Sequence, residues 1–289
     1  MRNLIVKIIN IILEKTGIAE ITRMISMDRR LSISKYINDY LYLNPKYKDS
    51  NRLNKYEFSI RSQDGGDGII AEIFKRIGTT NKKFVEFGVG DGLQNNTVYL
   101  LMQGWSGIWF EGDSDRENNS KIRKNLKIFL DNKQLSVFPE FITAENVEEI
   151  FTINNVEKEL DLLSIDIDGN DYWVWNAINN FKPRVFVVEY NASYGPDLSV
   201  APVYISNNIW KRTHFYGSSL SAFDKLAKKK GYTLVACSFL GNNAFFVRSD
   251  LIKNKFDVNL TKNDLFEDHK VFLLQNRKYS EELVDITKI

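Results

Sequence analysis

The 289-residue chain holds a single cysteine, Cys237, so no internal disulfide can form and no cysteine-based zinc motif can be built. It has two histidines, His214 and His269, so any metal site must rest mainly on carboxylates. It has no repeat or low-complexity tract, and five prolines are too few for a collagen-like or proline-rich chain. An excess of one charge is also missing. There are 39 Lys and Arg against 37 Asp and Glu, a formal net charge of +2, which argues against a dedicated nucleic-acid binder. A reducing cytoplasm suits the lone thiol. The longest early apolar stretch, residues 4–13, reaches about half the length of a bilayer span. No small-residue cleavage site follows it, so neither a membrane span nor a signal peptide is expected.

Hydrophobic residues make up 43% of the chain and charged residues 26%, the balance of a soluble globular protein. Within residues 4–13, the neighbours Asn3, Lys7, Asn10 and Glu14 form a polar stripe at helical spacing. Such a helix suits packing on its own domain or on a second copy of the chain, as in a homo-oligomer. The stripe carries too few basic residues to favour an anionic lipid surface. Residues 1–60 are read as a helical extension, 61–249 as the catalytic domain and 250–289 as a C-terminal appendage.

From residue 67 onward strands and helices alternate. Asp67 is expected to cap a helix that ends at Gly78. The first strand is Lys83–Phe87, and Asn96–Met102 forms the next helix. Gly107–Glu111 follows as a strand, then one long helix over 114–130 and a weak strand at 135–138. Thr143 is expected to cap a helix over 144–151. Residues 160–166 form a near-continuous apolar strand, the mark of burial on both faces. A helix at 171–178 and a fifth strand at 184–190 come next. A long aromatic-rich loop, 190–217, leads to a helix at 218–229, and strands 232–237 and 243–248 close as an antiparallel hairpin. The fold class is α/β, a Rossmann-like, mostly parallel seven-stranded sheet with helices on both faces.

Three clusters sit where such a sheet binds ligands, at the carboxyl ends of its strands. Glu86-Phe87-Gly88-Val89-Gly90-Asp91-Gly92 ends the first strand, and its glycines let a ligand lie on the backbone. The spacing is neither G-x-G-x-x-G nor a P-loop. Glu111 ends the second strand, placed to accept bonds from the two hydroxyls of a ribose. Asp166, Asp168 and Asp171 follow the fourth strand, and Glu189-Tyr190-Asn191 end the fifth. Alternation brings Asp166 and Asp168 to one side, and oxygen ligands of this kind suit Mg²⁺ or another hard divalent cation.

In that order, F-V-E-F-G-V-G-D-G, G-W-S-G-I-W-F-E-G-D and L-L-S-I-D-I-D-G-N-D-Y resemble class I S-adenosylmethionine-dependent methyltransferases, and more narrowly the FkbM-like methyltransferases of glycan and natural-product clusters. The resemblance covers about residues 60–248. It implies that Glu86, Gly88, Gly90 and Asp91 border the methionine end of S-adenosylmethionine. It implies that Glu111 holds the ribose, with Asp113, Gln63 and Asp166 also near the cofactor and Asp67 a weaker candidate. Metal-dependent sugar O-methyltransferases of similar layout imply Asp166 and Glu189 as ligands and Asp168 as base. Here Glu189 is not followed by an acid as in that pattern, and Asn191 is the third candidate metal ligand, supplying an oxygen instead. His214 is the second candidate base. The implied acceptor is a carbohydrate or related small molecule. The rivals are a metal-dependent glycosyltransferase using the D-x-D at 166–168, and a noncatalytic nucleoside-binding module. A haloacid dehalogenase-type phosphatase does not fit the Gly169-Asn170 that follows Asp168.

Overall fold

The computed structural model describes residues 43–49, 51–112, 116–210, 216–270 and 283–285, with isolated positions between 24 and 40. The apolar stretch at 4–13 lies outside the described residues. The chain divides into two units, Met1–Ser50 and Asn51–Ile289. In the first, Asn44 caps the short helix Pro45–Lys48 by accepting the Lys46 N–H at 2.9 Å. No helix of the described residues is long and apolar enough to cross a membrane.

The second unit is built on a seven-stranded sheet. Its strands are β1 (Lys83–Phe87), β2 (Ser106–Phe110), β3 (Leu135–Phe138), β4 (Leu162–Ile165), β5 (Val185–Glu189), β7 (Tyr232–Cys237) and β8 (Asn243–Arg248). Their order is β3-β2-β1-β4-β5-β8-β7, with β8 antiparallel to both neighbours and the other pairings parallel. The expected Rossmann-like α/β sheet is therefore present. The chain runs outward from β1 in one direction and from β4 in the other, so a crevice opens between these two strands.

Alternation along each strand feeds two cores. Val85, Phe87, Leu163, Ile165, Phe186, Val188 and Phe246 pack in one, and Phe84, Leu162, Val185, Val187, Phe245 and Val247 in the other. Both faces are buried, which is why the strands read as nearly unbroken apolar runs. Glu86 and Ser164 interrupt the runs of β1 and β4, side by side in register on the second face.

Several helices differ from their expected limits. The first, α1 (Gly66–Ile77), starts at Gly65 in a left-handed conformation (φ 90). Asp67 lies inside its first turn and does not cap it. The Asp67 Oδ2 instead accepts the N–H groups of Ile60, Arg61 and Ser62 at 2.7, 2.6 and 3.0 Å. The helix expected over 114–130 is two, α3 (Arg116–Asn125) and α4 (Lys127–Asp131), after α2 (Val98–Met102). The break at Leu126 (φ −118, ψ 20) buries that side chain, while Ile128 stays exposed. Thr143 does not cap α5 (Val147–Ile153); its N–H donates to Asn146 Oδ1 at 2.7 Å, closing the turn before the helix. Helices α6 (Asp171–Ala177) and α7 (Leu220–Lys230) stand close to expectation, and Gly231 ends α7 in a left-handed conformation.

The loop after β5 contains β6 (Val200–Pro202), which pairs antiparallel with β9 (Leu283–Asp285), so the appendage returns to this loop. Before it, α8 (Lys262–Leu265) carries a capping box of Thr261 and Asp264. The Glu267 carbonyl accepts the Tyr190 hydroxyl at 2.6 Å, and Lys270 N–H donates to Leu240 O at 3.0 Å. These bonds strap the β7–β8 loop to the end of β5. Residues 51–60 likewise pack with this unit: Leu53 is buried in the second core, and Asn54 donates to Cys237 O at 2.8 Å.

At the opposite, amino edge of the sheet, the buried Asp161 joins the 80–82 turn to Arg184. It accepts the N–H groups of Thr80, Asn81 and Lys82 and, at 2.9 Å, the Arg184 Nη1. Arg184 also donates to the Ile77 and Gly78 carbonyls that end α1. Asp161→Ala strands a buried guanidinium and is expected to lower unfolding stability by about 3–5 kcal/mol. Urea titration followed by tryptophan fluorescence measures this; an unchanged midpoint would show that the clamp is dispensable.

Candidate active site

The site begins where β1 ends. Gly88 adopts φ +68, and a Cβ there would lie 1.6 Å from the Asp166 carbonyl oxygen. The loop after β1 and the loop after β4 thus meet backbone to backbone. Gly88 N–H donates to Phe110 O at 3.2 Å, which holds the loop against β2 as well. Gly90 is also left-handed (φ +54), and a Cβ there would meet no atom within 4 Å. Gly90 borders two adjoining cavities, so the room beside it is room for a ligand.

Glu86, buried beneath this loop, accepts the Asn96 N–H at 2.9 Å and the Thr97 hydroxyl. Thr97 in turn accepts the Trp109 Nε1–H at 2.8 Å. Burial pushes the Glu86 carboxyl up to about 7 against these lowering hydrogen bonds. Glu111, 6% exposed at the end of β2, accepts the Gly90 N–H at 2.6 Å. One carboxylate thereby fixes the glycine loop and borders the larger cavity.

The larger cavity, about 430 Å³, is walled by apolar Phe87, Phe110, Phe141, Ile142, Ile209 and Trp210. Glu111, Glu140, Asp166, Asp168, Asn170 and Asn208 supply its polar side chains. The narrower cavity, about 180 Å³, is polar, with Gln63, Glu86, Asp91, Asn95, Asn96 and Asn243 on its walls. Gly88, Gly90 and Asp166 border both cavities. Among the described residues lining them there is no lysine, arginine or histidine.

Asp166, Asp168 and Glu189 each offer an oxygen within 4.8 Å of the others. Burial, then the nearby Asp168, Asp171, Glu86 and Asp64 carboxylates, raise Asp166 well above the usual carboxylate range. Asp168 sits at φ +55, so the chain turns sharply there. Asp171, the third acid of the run, faces its own loop. It accepts the Ile167 N–H at 2.9 Å and the Gly169 N–H at 2.8 Å, and burial pushes it up to about 6.

The residues singled out in the sequence fall into three groups. Gln63, Glu86, Gly88, Gly90, Asp91, Glu111, Asp166 and Asp168 line the two cavities, and Glu189 joins the acid cluster. Asp113 and His214 lie outside the described residues. Asn191 caps the turn Ala192–Tyr194, its Oδ1 accepting the Ser193 N–H at 3.1 Å, and Asp67 serves the 60–62 backbone. Of the loop aromatics, Tyr190 is fully buried and Tyr204 bonds Glu145, while Trp210 lines the larger cavity. Sequence reasoning missed Asp64, Asn95, Asn243 and Phe141. Asp64 falls within the S-Q-D-G-G-D-G stretch, but only the fold brings it to Asn243 on β8, at 2.9 Å.

The raised Glu86 carboxyl has a signed consequence. The folded chain holds that proton up to about pH 7, whereas an unfolded glutamate releases it near its ordinary value of 4.5. Stability from this group is full below about pH 4.5 and falls as pH rises toward about 7. Across that window wild type is expected to lose about 1–3 kcal/mol relative to Glu86→Gln. Parallel thermal melts at pH 5 and pH 8 check this, and a pH-independent gap would contradict it.

No family model matches the chain, and no curated protein matches it. Among solved structures it is similar to the methyltransferase domain of bacterial CtHen1, at 15% identity and TM-score 0.41, covering 64% of this chain and 97% of that one. It is similar to the CcbJ methyltransferase from Streptomyces caelestis, at 12% identity and TM-score 0.40, covering 69% and 97%. It is also similar to magnesium protoporphyrin IX methyltransferase from Synechocystis with bound SAH, at 12% identity and TM-score 0.40, covering 64% and 82%.

Proposed function

We propose that the unit 51–289 is an S-adenosylmethionine-dependent methyltransferase acting on a hydroxyl of a carbohydrate or related glycan-pathway metabolite. The observation that carries this reading is the pair of joined cavities at the β1–β4 crevice. The larger has apolar walls and an acid at its β2 edge, as a nucleoside requires, and the smaller is polar, as an amino-acid tail requires. The glycine loop that divides them leaves open space at Gly90.

In this reading Glu111 accepts from the ribose hydroxyls while keeping its bond to Gly90. Phe141, Ile142 and Ile209 enclose the base. When bound, S-adenosylmethionine supplies a methyl group already activated on a sulfonium. The chain's own task is to hold the acceptor oxygen in line with that methyl and to take its proton. Asp166, Asp168 and Glu189 fit a hard divalent cation by donor type and mutual distance. Held there, the cation would lower the pKa of an acceptor hydroxyl. The proximity of Asp168 to the other two acids makes it a ligand as readily as a base. A carbohydrate acceptor rests on the sequence resemblance and on the lining Trp210, whose ring suits the apolar CH face of a sugar.

The acid cluster also supports a second reading, a metal-dependent glycosyltransferase, and one set of experiments separates the two. S-adenosylhomocysteine is expected to bind wild type saturably in calorimetry, and Glu111→Gln is expected to weaken it about 10–100-fold through lost charged hydrogen bonds. Absence of binding by folded wild type, together with Mn²⁺-dependent hydrolysis of a sugar nucleotide, would replace this reading with the second. Mg²⁺ is expected to raise methyl transfer to hydroxylated acceptors, and Asp166→Asn to abolish that increment. Full activity in excess chelator would remove the metal from the mechanism.

A further inference from the structure

The turn that carries Asp168 is gripped from two sides. Asp168 has φ +55, a left-handed backbone that residues other than glycine seldom adopt, and Gly169 follows at φ +144. Such a conformation lasts only where its surroundings fix it. On the inner side, Asp171 spans the turn with both carboxylate oxygens. Its Oδ1 accepts the Ile167 N–H at 2.9 Å and its Oδ2 the Gly169 N–H at 2.8 Å. These donors flank Asp168 in sequence, so one carboxylate holds the chain before and after it. On the outer side, Asn170 Nδ2 donates to Ile205 O at 2.8 Å, and a Cβ at Gly169 would lie 2.7 Å from Asn208 Nδ2. Asp171 is fully buried and borders neither cavity. It opens α6, yet the two donors it holds precede that helix.

We propose that Asp171 is a positioning residue for the cation site: without reaching the cation, it fixes the turn that presents Asp168 to Asp166 and Glu189. This rests on the cation reading of the acid cluster and adds a residue to it. The three acids offer oxygens within 4.8 Å of one another. Carboxylates that close repel one another before a cation arrives. A grip on the turn keeps Asp168 from swinging away, so the donor set stands ready for the ion. Partners behind a ligand set its orientation and thereby the affinity of a metal site. Asparagine at position 171 has nearly the same size but only one acceptor oxygen. Its N–H₂ group would face one of the two backbone N–H groups, donor against donor. The turn would then lose its hold on one side of Asp168.

Mn²⁺ binding, read as loss of the free-ion electron paramagnetic resonance signal, tests this in wild type, Asp171→Asn, Asp168→Ala and the double variant. Asp171→Asn is expected to weaken Mn²⁺ about 10–100-fold, while S-adenosylhomocysteine, followed by calorimetry, stays within about threefold of wild type. In the Asp168→Ala background the same substitution is expected to weaken Mn²⁺ no further, because Asp171 acts through Asp168. A general loosening of the fold would weaken both ligands and would add to the effect of Asp168→Ala. Where Asp171→Asn folds poorly, Asp171→Ser takes its place with the same expectations. Unchanged Mn²⁺ affinity in the folded variant, an equal loss of S-adenosylhomocysteine, or additive losses in the double variant would each overturn the positioning role. Wild type that binds S-adenosylhomocysteine but no Mn²⁺ would defeat the cation reading and this proposal with it. Wild type that binds neither would defeat the methyltransferase reading as well.

Discussion

The approach of Gly88 to the Asp166 carbonyl governs everything at the carboxyl edge of this sheet. Two loops from strands that are distant in sequence touch through backbone alone, with no side chain between them. Only glycine permits both the left-handed turn and the distance. Because the loops touch, Asp166 borders both cavities, and the glycine loop shares a wall with the acid cluster. The opposite edge is organised by a different force, the buried Asp161–Arg184 pair, which ties the end of α1 to the starts of the strands. Hydrogen-bonded charge thus sets one edge of the sheet and close backbone contact sets the other.

Electrostatics give the site its character. Glu86, Asp166 and Asp171 are all pushed upward by burial, and no described basic side chain lines either cavity to offset them. Such a site favours positively charged occupants, whether a sulfonium, an ammonium or a divalent cation. Beside these carboxylates a phosphate is at a disadvantage unless a cation or a basic group offsets them. That distinction separates the two functional readings, because a sugar nucleotide would need a cation in place before its diphosphate could approach.

Much of this was legible in the sequence wherever local pattern and tertiary burial agree. Strands buried on both faces announce themselves as apolar runs, and β7 and β8 stand at their expected limits. Gly88, Gly90, Glu111 and Asp166 were visible because glycines and acids at strand ends have few structural uses. The long helix over 114–130 was misread because its spacing looked continuous, while burial of Leu126 favoured a break. Asp67 matched a cap by position, yet the three N–H groups of residues 60–62 claimed it first. The Asp64–Asn243 bond was invisible, since it joins residues far apart along the chain through a loop contact that no periodicity encodes.

The sheet order also bears on how the site comes into being during synthesis. Strand β8 is inserted between β5 and β7, although it is the last of the seven in sequence. Asn243 begins that strand and forms part of the narrower cavity, while the glycine loop is made early. A chain emerging from the ribosome can pair β1, β2 and β3, and β4 with β5, before β8 exists. Such non-local closure comes late in folding. The larger cavity can then take shape on a partial chain, whereas the narrower one waits for the final hairpin. Ligand capture by the whole crevice would therefore mark the moment at which the sheet is complete.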